Sequence, residues 1–228
     1  MNQIPNTITC LNVLSGTIAI LLASKGDVRF GSLTGIEWGW IFIGIAAVAD
    51  FLDGFAARLL HAYSNLGKEL DSLCDLVSFG VAPAVIMIST LECYTNAGWY
   101  MWLPVLIPVA AALRLAKFNI DTRQTTSFLG LPVPANAIFW IGYSSLISTG
   151  LTVLGEWYVL LPVLLLVCWL MVSEVKLFSL KMKSLAPKVI WRQIAIAIAA
   201  VVAVTSLGVG GLMWLIVFYV GLSIASCR

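Results

Sequence analysis

The sequence predicts an all-α integral membrane protein, a single polytopic domain (1–228) of about eight transmembrane helices. Three observations lead there. Of the 228 residues, 61% are hydrophobic and 11% charged, too few polar groups to cover a water-soluble globule of this size. The apolar residues fall in runs of about twenty, the length a helix needs to cross about 30 Å of hydrocarbon. Lys and Arg gather in alternate polar stretches between those runs, as the positive-inside rule expects of a chain that crosses repeatedly. There is no room for a separate soluble domain, and no nucleic-acid partner is expected.

The first run, Thr7–Ser24, lacks a basic leader and a small-residue cleavage site, so it reads as a span and not as a cleavable signal peptide. Trp38–Leu60 is the second span and carries Asp50, Asp53 and Arg58 toward its end. Asp71–Thr90, the third, opens with two more acids, Asp71 and Asp75, after a short polar turn. Gly98–Phe118 closes on Arg114 and Lys117, and Val133–Leu154 and Trp157–Phe178 follow it. From Gln193 to Ser223 the apolar stretch is too long for one span at 1.5 Å per residue. Gly208, Gly210 and Gly211 sit where a turn is needed, which splits the stretch into Trp191–Ser206 and Leu212–Ser226, a C-terminal hairpin (191–226). Arg58, Lys68, Arg114, Lys117, Arg123 and the basic segment from Lys176 to Arg192 share one side, against Lys25 and Arg29 on the other. Both termini are therefore expected in the cytoplasm, the protein sitting in the cell inner membrane or its equivalent. The cysteines, five and scattered, lack metal-ligand spacing and read as packing residues.

Ionisable groups inside spans cost at least about 2.5 kcal/mol each, so several together call for a partner. Asp50 and Asp53 are three residues apart on the second helix and Asp71 and Asp75 four apart on the third, so each pair points to one side of its helix. A short turn makes the two helices antiparallel neighbours whose carboxylates can converge at the cytoplasmic face. Four like charges would repel one another, and a hard divalent ion, or two, resolves the conflict. Ligands made only of oxygen favour Mg²⁺ or Mn²⁺ over zinc; the sole histidine, His61, reads as solvated in the polar turn. The small residues Ala46, Ala49, Gly54 and Ala57, on or beside the Asp face, allow another backbone or a ligand to come close.

Asp53-Gly54-Phe55-Ala56-Ala57-Arg58, eight residues, Gly67, three residues, Asp71, three residues and Asp75 resemble D-G-x2-A-R-x8-G-x3-D-x3-D, the signature of the CDP-alcohol phosphatidyltransferase family. Asp50 supplies the fourth acid that the family carries, so the catalytic signature spans 50–75. Further segments resemble the phosphatidylserine synthase branch: Asp71-Ser72-Leu73-Cys74-Asp75-Leu76-Val77-Ser78-Phe79-Gly80 with Pro83, Arg114 to Asn119, and Gly130 to Ala135. So do Pro5-Asn6-Thr7-Ile8-Thr9 at the opening of the first helix, and Asn12 with Ser15 and Gly16 beyond it. Only a handful of residues precede the first span, so the amphipathic N-terminal helix of some relatives is expected to be missing or very short.

The resemblance implies a six-helix core, to which the C-terminal hairpin is added, a homodimer, and transfer of a phosphatidyl group from CDP-diacylglycerol to an alcohol with release of CMP. It implies that Asp50 and Asp71 bridge two ions, that Asp53 and Asp75 complete one site each, and that Asp75 also serves as general base. It assigns Asn6, Thr9, Gly54, Arg58 and Ser64 to CDP-diacylglycerol, while Gly67 shapes the turn into the third helix. Free serine, the acceptor of the branch, carries a carboxylate and an ammonium. Arg114 and Lys117, with Asn119 and Arg123 beyond, are the candidates to receive it, their alternative role being that of positive-inside anchors. Glycerol 3-phosphate or an inositol phosphate remains open as acceptor, though either would want a denser basic cluster. A cation transporter is the rival from another class; it would carry its acids near the midplane of repeated halves, whereas these lie near one face in an unrepeated motif.

Overall fold

The computed structural model describes residues 3–60, 64–96, 98–120, 128–177 and 187–226, and these are mostly helical. Helix α1 (Gln3–Ala23) is followed by a two-stranded antiparallel hairpin, β1 (Arg29–Phe30) and β2 (Leu33–Thr34), and then by α2 (Gly35–Leu59). Thr34 starts α2 with a reciprocal cap: Glu37 N donates to Thr34 Oγ1 at 3.2 Å, and Thr34 N donates to Glu37 Oε2 at 2.7 Å. Helices α1 and α2 run antiparallel and form the most extensive helix pairing of the described residues. Small residues make this possible, since a Cβ on Gly35 would strike the Leu22 carbonyl and one on Gly39 would stand 3.3 Å from the Ala19 carbonyl. Ser15 Oγ adds a bond across the pair to Phe42 O at 2.7 Å.

The third helix differs from its expectation at its start. It begins as α3 at Asn65, six residues before Asp71, because the Ser64 hydroxyl accepts from Gly67 N at 3.0 Å and caps a turn that lies outside the continuous apolar run. Helix α3 (Asn65–Asp75) runs through a π-helical segment, Leu76–Val81, into α4 (Ala82–Tyr94), one continuous stretch of 30 residues. Pro83 has no N–H to offer the Phe79 carbonyl, and Asn136 Nδ2 donates to that carbonyl instead at 3.4 Å.

A 3₁₀ turn (Trp99–Val105) leads into α5 (Leu106–Ile120). After β3 (Phe128–Leu129) comes α6 (Val133–Ser148), the central helix, with Trp140, Tyr143 and Ile147 fully buried. Helix α7 (Trp157–Val172) packs on α5, and β4 (Lys176–Leu177) pairs with β3. Helices α8 (Pro187–Leu207) and α9 (Gly211–Ser226) pack on one another across Gly208, which bends the chain at φ 58°. Helix α9 also crosses α6 where Gly142 leaves no room for a Cβ beside Met213 N.

Among the described residues, five stretches are long and apolar enough to cross a membrane: Pro5–Ala23, Gly35–Leu59, Asn65–Tyr94, Trp99–Ile120 and Ile198–Ala225. The last runs through the Gly208 bend. Helices α6 and α7 have 16 residues each, shorter than the full spans expected for them, because Gly150 at φ 110° and Ser173 end them early.

Candidate active site

Helix α2 brings Asp50 and Asp53 to its C-terminal half, and α3 brings Asp71 and Asp75 alongside. Oxygens of Asp50, Asp53 and Asp71 lie within 4.8 Å of one another. Asp53 is 6% exposed, and its Oδ2 is buried with no hydrogen-bond donor in the protein, while the Thr9 hydroxyl approaches its carboxylate from α1. Three carboxylates around one point, one with an orphaned buried oxygen, could hold a metal ion, and a ligand set made only of oxygen suits a hard divalent cation. Asp75 stands outside that group. It is 8% exposed, close enough to feel the charges of Asp50, Asp71 and Asp53, and its Oδ1 accepts from Asn12 Nδ2 at 3.0 Å.

Beside the three acids opens a cavity of about 350 Å³. Asn6 and Thr9 line it from α1, Gly54, Ala57 and Arg58 from α2, and Ser64, Gly67 and Lys68 from the start of α3, with Asp53 and Asp71 in the wall. All five residues that the resemblance assigned to CDP-diacylglycerol are thus gathered around one space. A Cβ on Gly54 would meet nothing within 4 Å, so glycine there leaves the wall open to a ligand. Gly67 serves the turn: a Cβ there would crowd Ser64 Oγ at 3.0 Å and Asn6 Oδ1 at 3.1 Å. Arg58, exposed, folds back with Nε donating to Gly54 O at 2.9 Å. The cavity therefore has an acidic wall and two cations, Arg58 and Lys68, on its rim.

Of the residues expected at the acceptor, the described ones, Arg114, Lys117 and Asn119, do not line this cavity. Arg114 is 6% exposed and donates through Nη1 to Met171 O at 3.1 Å, against Gly130, where a Cβ would come within 2.9 Å of it. Lys117 donates to Val172 O at 3.2 Å and pairs with Glu174 at 3.4 Å, so both cations close the carbonyl end of α7. Asn119 is bound to α3: its carbonyl accepts from Lys68 Nζ at 2.8 Å, and its Nδ2 donates to Ser72 Oγ at 3.0 Å and Glu69 Oε2 at 3.3 Å. Arg123 and His61 lie outside the described residues. Sequence reasoning gave no site role to Lys68. Its signal was there: Ser64 as a cap extends α3 back far enough to set Lys68 three residues before Asp71, on the same side of the helix.

A family model described as CDP-alcohol phosphatidyltransferase matches residues 2–170. Three relatives carry the name CDP-diacylglycerol–serine O-phosphatidyltransferase. The one from Mycobacterium leprae is 37% identical over 150 residues, 63% of this chain and 47% of its own length, so the match spans under half of that relative. The one from Methanocaldococcus jannaschii is 33% identical over 174 residues, 76% of this chain and 72% of its own. The one from Bacillus subtilis is 38% identical over 134 residues, 59% of this chain and 71% of its own.

Proposed function

The chain belongs to the CDP-alcohol phosphatidyltransferase family, and from that premise we propose that it transfers a phosphatidyl group from CDP-diacylglycerol to the hydroxyl of L-serine, giving phosphatidylserine and CMP. The observation that carries this reading is the convergence of Asp50, Asp53 and Asp71 on the cavity that Asn6, Thr9, Gly54, Arg58 and Ser64 also line. The names of the three relatives favour serine over glycerol 3-phosphate or an inositol phosphate.

In this reading Asp50, Asp53 and Asp71 hold Mg²⁺ or Mn²⁺, two ions with Asp75 as a further ligand. When bound, such ions neutralise the charge on the transferring and leaving phosphates. Arg58 and Lys68 add cationic donors at the rim for the pyrophosphate or the nucleotide, and Gly54 lets that ligand approach the α2 backbone. Asp75 takes the proton of the attacking hydroxyl as the oxygen bonds in line to the phosphorus bearing diacylglycerol and the bond to CMP breaks. In this reading Arg114 and Lys117, with Asn119 and Arg123 beyond, receive the acceptor's carboxylate. The bonds from Asn119 to Lys68 and Ser72 support this by tying the end of α5 to the helix that carries Asp71. The site faces the cytoplasm, and the protein works as a homodimer.

The test is CMP release by purified protein in mixed micelles with CDP-diacylglycerol and Mn²⁺. Release is expected with serine and at least tenfold less with glycerol 3-phosphate or inositol phosphate. Release with either phosphate and none with serine would transfer the protein to another branch of the family.

A further inference from the structure

Asn12 has no part in the chemistry above, yet it is fully buried and fastened at two points. Its Nδ2 donates to Asp75 Oδ1 at 3.0 Å. A carboxylate can only accept, so this bond decides which way the amide faces. Its backbone carbonyl accepts from Ser78 Oγ at 3.0 Å. One turn further along α1, Gly16 lies so close to Ser78 that a Cβ would strike both Ser78 Oγ and Ser78 Cα. Asp75 and Ser78 flank the point where α3 widens into its π-helical segment, and π turns recur where a helix must re-aim a functional side chain. Asn12 is thus set against Asp75 by both helices and has little freedom to turn away.

The other end of the amide is what asks for a ligand. Asn12 Oδ1 is buried and accepts no hydrogen bond from the protein, a costly condition for a carbonyl out of water. Amide geometry holds Oδ1 roughly 2.2 Å from Nδ2, which keeps it within about 5 Å of the Asp75 oxygen. An acceptor whose hydroxyl meets Asp75 on the side of Asn12 comes within that radius. In an amino alcohol such as serine the ammonium is two carbons from the hydroxyl, a span that fits between the two oxygens.

We propose that Asn12 positions Asp75 and receives the acceptor: Nδ2 holds the carboxylate in the orientation that meets the attacking hydroxyl, and Oδ1 accepts a hydrogen bond from the acceptor's ammonium. This rests on Asp75 as the base and on an amino-alcohol acceptor, as proposed above. No group is transferred to Asn12. Its amide needs no ionisation, so the arrangement persists through the cycle.

The experiment uses the full-length protein at saturating Mn²⁺, with kcat and the KM of each substrate measured separately. Wild type comes first: if no amino alcohol supports CMP release, the functional reading fails before any variant is made. Asn12→Leu keeps the volume and loses both contacts. It is expected to lower kcat by about 10²-fold, the scale of a misaligned reacting group, and to raise the serine KM at least tenfold, with the KM of CDP-diacylglycerol within threefold. Asn12→Asp keeps the accepting oxygen and, when ionised, cannot donate to Asp75, so at a pH where it is ionised kcat should fall similarly while the serine KM does not rise. If Asn12→Leu yields no folded protein, Asn12→Ser is read by the same numbers. Either substitution for Asn12 with kcat within threefold of wild type overturns the positioning role. An equal rise in serine KM for Asn12→Asp and Asn12→Leu overturns the contact to the ammonium. A raised Mn²⁺ requirement in Asn12→Leu, with the serine KM unchanged, overturns it in favour of a metal ligand.

Discussion

Asp75 has a protein donor on one oxygen, Asn12 at 3.0 Å, whereas Asp50, Asp53 and Asp71 turn oxygens toward one another within 4.8 Å. That difference sets Asp75, proposed as base as well as ligand, apart from the three acids proposed as ligands alone, and asparagine substitutions test it. Asp75→Asn should leave CDP-diacylglycerol binding intact and lower turnover by at least about 10²-fold, the lower bound for losing a general base, with no recovery on adding Mn²⁺. Asp71→Asn should instead raise the Mn²⁺ concentration for half-maximal activity about tenfold or more and recover in part when metal is added. Activity titrations against Mn²⁺ distinguish the two, and recovery of Asp75→Asn by metal alone would reduce it to a ligand. The acids were legible from spacing, because residues three or four apart on a helix must share a side. Asn12 could not be given its place that way. Its partner Asp75 is 63 residues distant, and only the packing of α1 decides which of its faces meets α3. Asn119 shows the same limit: the residue type announces a donor, but its bonds to Glu69 and Ser72 come from how α5 lies against α3.

At the level of elements, apolar run length located the helices well, and it failed where a helix left the apolar phase. The first turns of α3, with Lys68 and Glu69, lie outside the continuous apolar run and keep only leucines at helical spacing, Leu66 and Leu70, and Ser64 was the mark of where they begin. The π-helical segment was illegible, since one wider turn leaves the apolar pattern of Leu76–Val81 unchanged; its companions, Pro83 and the Asn136 donor, which is 57 residues from the Phe79 carbonyl it reaches, become a pair only in the fold. The contact of α1 with this segment yields a paired prediction. Gly16→Val drives a side chain into the Ser78 backbone, and overpacking of this kind costs about 1–3 kcal/mol. Thermal unfolding in detergent should show a midpoint lower by several degrees. Gly54→Ala meets nothing within 4 Å, so its unfolding should match wild type while the KM of CDP-diacylglycerol rises. Equal stability for Gly16→Val and wild type would mean that α1 does not seat on Ser78 as described.

For the whole molecule, the asymmetry of Lys and Arg predicts that the acids face the cytoplasm. In a cysteine-free background, Asn65→Cys should react with an impermeant maleimide only after the cytoplasmic side is opened, and Val28→Cys, in the exposed connection between α1 and α2, should react in intact cells. The reverse pattern would invert the protein. The 30-residue helix Asn65–Tyr94 is about 45 Å long at 1.5 Å per residue, some 15 Å more than the hydrocarbon layer. Its surplus belongs at the polar end, where Asn65, Lys68 and Glu69 lie, so Asp71 follows about 9 Å in, at headgroup depth, and Asp75 about 15 Å in, at the boundary with the acyl chains. In the proposed reaction a lipid donor would then meet the acids by diffusing sideways within its own leaflet, without ever leaving it, while serine and CMP would come and go through water. The concentration that governs the reaction is accordingly two-dimensional for one substrate and three-dimensional for the other. Diluting a suspension of mixed micelles with buffer at fixed mole fraction of CDP-diacylglycerol and fixed serine should leave the rate per enzyme unchanged, whereas diluting the donor with inert detergent at constant volume should slow it in proportion below saturation.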